Sequence, residues 1–126
     1  MAEELILIVE DDEKGQRLAR DILRFHGFST VEAGTGEDGV ALAKERKPRA
    51  ILMDFQLPGI DGIAALRRIR EDASTAAIPV VVMTASVMKE DRERFDRAGF
   101  DAFITKPLDI DRLPEQIREV IERGRA

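Results

Sequence analysis

Five side chains of the 126-residue chain sit at the ends of strand-like runs, where they could do chemistry together. Glu10 and Asp11 follow the run 5–9, Asp54 follows 50–53, Thr84 closes 78–84, and Lys106 follows 101–105. Open parallel sheets keep their sites at the carboxyl ends of their strands, so these residues are expected to share one rim. Three carboxylates so close would repel one another unless a cation joined them. Oxygen donors without His or Cys suit a hard ion, and a few carboxylates with room for water suit Mg²⁺. With that ion and Lys106 the site is electrically neutral, so little repulsion opposes an incoming phosphoryl group. A central carboxylate can then attack phosphorus and form an acyl phosphate, with Lys106 and the Thr84 hydroxyl meeting the phosphoryl oxygens.

The elements that must position these groups alternate strand and helix five times. Residues 5–9 read as a strand buried on both faces. Leu18, Ile22 and Phe25 recur at i, i+4 and i+7 and predict an amphipathic helix ending at Gly27. Residues 28–33 read as a second strand. Thr35 and Asp38 look like a capping box for a helix to about Arg46, with a small buried face of Val40, Ala41, Leu42 and Ala43. After the strand that ends at Asp54 comes the Pro/Gly-punctuated loop 55–62, then a helix with Ile63, Leu66 and Ile69 inside. The fourth strand covers 78–84. A fourth helix from about Val87 to Ala98 carries little apolar content and should pack weakly. A short strand at 101–105 and a helix with Leu113, Ile117, Val120 and Ile121 follow, Pro114 confining what precedes it to a loose first turn. This order implies an α/β fold with a parallel sheet, helices on both faces and right-handed crossovers.

Length and composition set the bounds. The chain reads as one domain, 1–126, with 44% hydrophobic and 36% charged residues. A net charge of −5 argues against a phosphate-tracking nucleic-acid surface, and the absence of Cys removes disulfides, thiolate nucleophiles and Cys-based zinc sites. No apolar run approaches the roughly 20 residues that span a bilayer, and the first residues lack a signal peptide's basic start, so a cytoplasmic protein with no membrane partner is expected.

The four segments Ile-Leu-Ile-Val-Glu10-Asp11, Leu-Met-Asp54-Phe-Gln-Leu-Pro58-Gly, Met-Thr84-Ala85 and Thr-Lys106-Pro107, in this order, resemble the response regulator receiver domain over nearly the whole chain. The resemblance implies a flavodoxin-like (βα)5 fold with sheet order 2-1-3-4-5. It makes Asp54 the phosphoacceptor for a histidine kinase or histidine phosphotransferase. Asp11 would ligate Mg²⁺ directly, Glu10 through water, and Gln56 by its backbone carbonyl. Thr84 and Lys106 would act on the phosphoryl group, with Thr84 and Phe103 as switch residues and the Lys106–Pro107 bond cis. Lacking a tyrosine hydroxyl, Phe103 could signal only by ring position. Phosphorylation would alter the surface of the fourth helix, fifth strand and fifth helix for a downstream partner protein, the chain being a monomer or weak dimer. It would be no enzyme beyond its own phosphorylation and dephosphorylation.

Other residues carry less. His26, the lone histidine, reads as a cap at the end of the first helix, and Arg67, Arg68 and Arg70 as a solvated helix face. Gly15, early in the first helix, costs helix stability. With Lys14, Leu18, Pro107 and Leu108 it is assigned to the surface that docks the phosphodonor. Gln56 and Ser86 should adjoin the phosphoryl group. An aspartyl phosphatase of the dehalogenase type would want Asp where Gln56 stands, and a flavodoxin's phosphate loop would not be Glu10-Asp11-Asp12-Glu13. A receiver fold used only for interaction, or a receiver from a larger hybrid kinase or DNA-binding regulator, are the remaining alternatives.

Overall fold

In the computed structural model, which describes residues 4–85 and 88–124, five parallel strands alternate with five helices. The elements are β1 (Leu5–Val9), α1 (Glu13–Phe25), β2 (Ser29–Ala33), α2 (Gly36–Arg46), β3 (Ala50–Asp54), α3 (Gly62–Glu71), β4 (Val80–Thr84), α4 (Lys89–Ala98), β5 (Ala102–Thr105) and α5 (Arg112–Arg123). The sheet runs β2-β1-β3-β4-β5, the flavodoxin-like order. Registers such as Asp54 opposite Met83 and Thr84 opposite Thr105 bring the carboxyl ends of β3, β4 and β5 level.

Strand alternation sorts the core into two layers, since successive side chains point to opposite faces. Ile6, Ile8, Leu52, Val81, Met83 and Ile104 pack with the buried faces of α1 and α5. Leu7, Val9, Ile51, Met53, Val80 and Val82 pack with α2, α3 and Phe95 of α4. Both faces of the inner strands are covered, which is why their sequences are continuous apolar runs rather than alternating ones.

Helix starts follow their caps. Asp12, Thr35 and Asp61 each accept a backbone N–H three residues on, at Gly15, Asp38 and Ala64. In α5, Pro114 is the third helical residue, where a missing N–H breaks no helical bond, and Asp109 braces the turn before it by accepting from the backbone N–H of Asp111 and Arg112 at 2.9 Å each. Those N–H groups, Arg112 first, hold the exposed Asp109 carboxyl below its ordinary range. His26 caps α1 as expected, its Nδ1 donating to the Ile22 carbonyl at 2.9 Å.

Four expectations are corrected. On α1, Ile22 is buried, but Leu18 is 44% and Phe25 84% exposed; Ala19 and Leu23 complete the inner stripe. The i, i+4, i+7 spacing also fits a neighbouring face of the same helix, and short Ala19 carries no signal in such a count. In α2, Ala41 is exposed, and the close contacts come from buried Gly36 and Gly39. The helix α4 begins at Lys89; Val87 lies outside the described residues, and Met88 is exposed. Arg70 is no solvated residue: it pairs with Asp101 at 2.8 Å and donates to the carbonyls of Ile78 (2.6 Å), Ala76 (3.2 Å) and Gly99 (3.3 Å). Asp101 in turn accepts from the Val80 N–H at 2.8 Å, so one ion pair ties the end of α3 to the start of β4 and the entry to β5.

Two outcomes follow. Arg70→Ala leaves Asp101 in a largely buried place without its cation, and urea denaturation should show a loss of about 2–4 kcal/mol. A Cβ at Gly39 would stand 2.8 Å from Val9 Cγ2. Gly39→Ala should therefore cost about 1–2 kcal/mol in the same assay despite its better helix propensity, because the crowding outweighs the roughly 1 kcal/mol gained.

Candidate functional site

The site is built on strand ends. β1 terminates at Val9 and hands over to Glu10, whose N–H donates to the Ala33 carbonyl at 3.0 Å, so the residue continues the β1–β2 ladder. Its side chain is 2% exposed, and its Oε1 accepts the Asp12 N–H at 3.1 Å. Gln16, one turn into α1, adds a clamp: its Nε2 lies 3.1 Å from the Glu10 carbonyl oxygen and 3.3 Å from that of Ala33. Asp54 is the last residue of β3 and 8% exposed, its Oδ1 accepting the Gln56 N–H at 3.2 Å. Thr84 ends β4, buried, and its carbonyl takes the Lys106 N–H at 2.8 Å. That bond carries the β4–β5 pairing to Lys106, whose peptide bond to Pro107 is cis.

Lys106 joins the acids. Its Nζ is 2.9 Å from Glu10 Oε2 and 3.0 Å from Asp54 Oδ2. Burial drives the Glu10 carboxyl above its ordinary range; Lys106 and the Asp12 N–H pull it down, while the hydrogen bond and charge of Asp54 push it further up. Burial acts to lower the Lys106 pKa, but its hydrogen bonds to Glu10 and Asp54 and their negative charges outweigh that, so the ammonium is held above its ordinary range. The lysine is thus a fixed cation within the acid cluster.

Glu10, Asp11 and Asp54 bring one carboxylate oxygen each within 4.8 Å of one another, a spacing and donor type that fit a hard divalent cation. With Gln56, Thr84 and Lys106 they line one pocket of about 780 Å³. Every residue assigned to the chemistry from sequence is therefore in one place, whereas Ser86 lies outside the described residues. Phe103 is half-buried against the α2–α3–α4 layer and lines a separate groove with Pro107, Leu113 and Gln116. Among the docking residues, Lys14, Leu18 and Pro107 are exposed, and Leu108 packs partly against the α1–α5 layer. Gly15 does not simply offer an open approach. A Cβ there would stand 3.3 Å from Asp12 Oδ2 and 3.4 Å from Glu10 Cδ, so this glycine backs onto the acids.

Gln16 and Arg94 are among the residues of the site that escaped the sequence reading. Gln16 could have been suspected from its place one turn beyond the acids, but its targets are backbone carbonyls, which leave no mark in a sequence. Arg94 of α4 lines the pocket from the far side, its guanidinium 5.0 Å from the centroid of the Phe55 ring. Only the packing of α4 brings it there.

Comparison with known proteins agrees with this geometry. Residues 6–118 match the family described as response regulator receiver domain. The polar-differentiation response regulator DivK of Brucella anthropi is 36% identical over 116 residues, covering 92% of this chain and 94% of that protein. The receiver domain of a sensor histidine kinase from Pseudomonas aeruginosa, solved with a magnesium ion coordinated in its active-site cleft, superposes with a TM-score of 0.89 at 31% identity, over 96% of this chain and 99% of that one. A CheY-like response regulator receiver domain protein from Methanospirillum hungatei gives 0.87 at 27% identity, over 97% and 96%. A buried acid pair bridged by a lysine at the strand ends of a 2-1-3-4-5 sheet, in a chain so matched, places this protein in the response regulator receiver domain family.

Proposed function

We propose that residues 1–126 form a single receiver domain that works as a phosphorylation-controlled switch, with Asp54 as the phosphoacceptor. The observation that carries this reading is the convergence of Glu10, Asp11 and Asp54 oxygens within 4.8 Å, spanned by Lys106. An Asp54 oxygen attacks the phosphorus of a phosphohistidine on a histidine kinase or histidine phosphotransferase. The O–P bond forms as the N–P bond breaks, and the imidazole leaves with the electron pair. Lys106 gives up part of its contact with Asp54 to bind a phosphoryl oxygen, and the Thr84 hydroxyl donates to another. Hydrolysis of the acyl phosphate restores the carboxylate, so the chain's catalysis is confined to its own phosphorylation and dephosphorylation.

Glu10, Asp11, Asp54 and the Gln56 carbonyl would hold Mg²⁺, whose chemistry when bound is to offset the charge of acids and phosphoryl oxygens. The magnesium-containing Pseudomonas receiver supports this assignment. The donor set supports it independently: three carboxylates against a single lysine leave net negative charge for a cation to balance. No helix among the described residues is long and apolar enough to cross a membrane, which accords with a cytoplasmic role.

Recognition of the donor is assigned to Lys14, Leu18, Pro107 and Leu108, with Gly15 behind them. Leu18 supports the assignment best, an apolar side chain 44% exposed on the helix that follows the acids. The output is a shift of Phe103 and of the surface formed by α4, β5 and α5, read by a partner protein, with the chain a monomer or weak dimer. Two pre-existing arrangements need only be rebalanced.

Two experiments test this reading. Acetyl phosphate with Mg²⁺ should add the mass of one phosphoryl group, lost in Asp54→Asn and on chelation of the metal; no gain in the unmodified chain would leave a receiver fold used for interaction alone. Leu18→Ala should slow phosphotransfer from a phosphohistidine protein about tenfold while acetyl phosphate labels it at the unmodified rate. Equal rates from both donors would remove Leu18 from the docking surface. Gly15→Ala is the poorer probe, since its methyl would press on Glu10 and disturb both reactions.

A further inference from the structure

Two cations line the Asp54 pocket, Lys106 and Arg94, and only Lys106 is tied up with acids. Arg94 is exposed, makes no salt bridge among the described residues, and lies over the face of Phe55, the residue next to Asp54. Phe55 meets Phe95 edge-on at 5.0 Å, and Phe95 meets Phe100 at 6.1 Å; Phe95 is also the one buried side chain of α4. The helix is thus held to the rim of the site largely through an aromatic contact one residue from the phosphoacceptor, and the neighbouring residue on that helix presents a positive charge to the same pocket.

Charge supplies the reason for it. With a divalent cation bound, the three acids and Lys106 are balanced, and a phosphoryl group on Asp54 then adds negative charge that nothing in the acid cluster offsets. Asp91, one turn before Arg94 on α4 and also lining the pocket, adds to that negative charge. We propose that Arg94 is a second phosphoryl-binding residue, delivered by α4, so that phosphorylation of Asp54 draws the helix toward the site by its guanidinium. The chain contains no tyrosine, so no aromatic hydroxyl can report the phosphoryl group from β5. An arginine on α4 gives the helix a direct electrostatic contact instead. Guanidinium suits this role because it can stack on a ring and donate two parallel N–H bonds to phosphoryl oxygens. The proposal rests on the phosphoacceptor reading of Asp54.

The test compares the unmodified chain with Arg94→Gln, which keeps much of the stem but loses the charge, and Arg94→Lys, which keeps a point charge. Labelling by acetyl phosphate and Mg²⁺ is followed by intact mass, the lifetime of the acyl phosphate by its decay, and α4 by amide hydrogen exchange over residues 89–98. Arg94→Gln should still be phosphorylated on Asp54, but about five- to tenfold more slowly and with weaker salt dependence, because an exposed cation attracting a dianion is screened by salt. The added protection of 89–98 on phosphorylation should vanish in Arg94→Gln and partly return in Arg94→Lys. Unchanged rate, salt dependence and α4 response in Arg94→Gln would overturn the proposal and leave the phosphoacceptor reading standing. Absence of any phosphoryl gain in the unmodified chain would overturn both.

Discussion

Two carboxylates that are almost wholly removed from water, Glu10 and Asp54, can coexist only because an ammonium lies between them. Their mutual repulsion and desolvation would otherwise protonate one of them or open the strand ends. Lys106 supplies that cation from the far edge of the sheet, and it can do so only if β1, β3, β4 and β5 end level. The sheet order and register are therefore constraints on the site as much as on the core. The hydrogen bonds that extend the ladders past the last strand residues, Glu10 to Ala33 and Lys106 to Thr84, are the pieces of backbone that hold the charges at the right height.

The same lysine makes the site easy to change. A cation shared between two carboxylates has an alternative partner as soon as one of them acquires more negative oxygens, and the Asp54 end of the bridge is the more exposed one. Glu10, at 2% exposure and clamped through its backbone by Gln16, has no comparable freedom. The pocket is thus anchored on the β1 side and adjustable on the β3 side, an asymmetry that suits chemistry confined to Asp54.

Much of this was legible in the sequence. Short strand-like runs stopping at an acid, a hydroxyl or a lysine give the strand, its end and its reactive group in one signal, so Glu10, Asp54, Thr84 and Lys106 could be assigned before their distances were known. What the sequence hid depends on partners far along the chain. Leu18 and Ala19 are adjacent and both apolar, and only the packed layer decides that the smaller one goes inside. Arg70 sits in a run of basic residues that composition reads as solvated, although its partner Asp101 lies 31 residues away and its other acceptors are carbonyls. Gly39 carries no side chain to count, yet its closeness to Val9 fixes how near α2 lies to β1.

The two faces of the sheet show what route the proposed change at Asp54 would have toward α4. Along β3, Ala50 and Leu52 belong to the α1–α5 layer and Ile51 and Met53 to the α2–α3–α4 layer, and the alternation carries past the strand end, so that Phe55 joins the second layer. One peptide unit therefore separates the carboxylate from the ring on which α4 depends. A helix buried by several large side chains would resist a small movement of that ring. With Phe95 as its one buried residue and a strongly charged remainder, α4 offers little resistance. Its thin apolar anchorage, visible in the sequence as a shortage of apolar residues, is the physical condition that the proposed coupling requires.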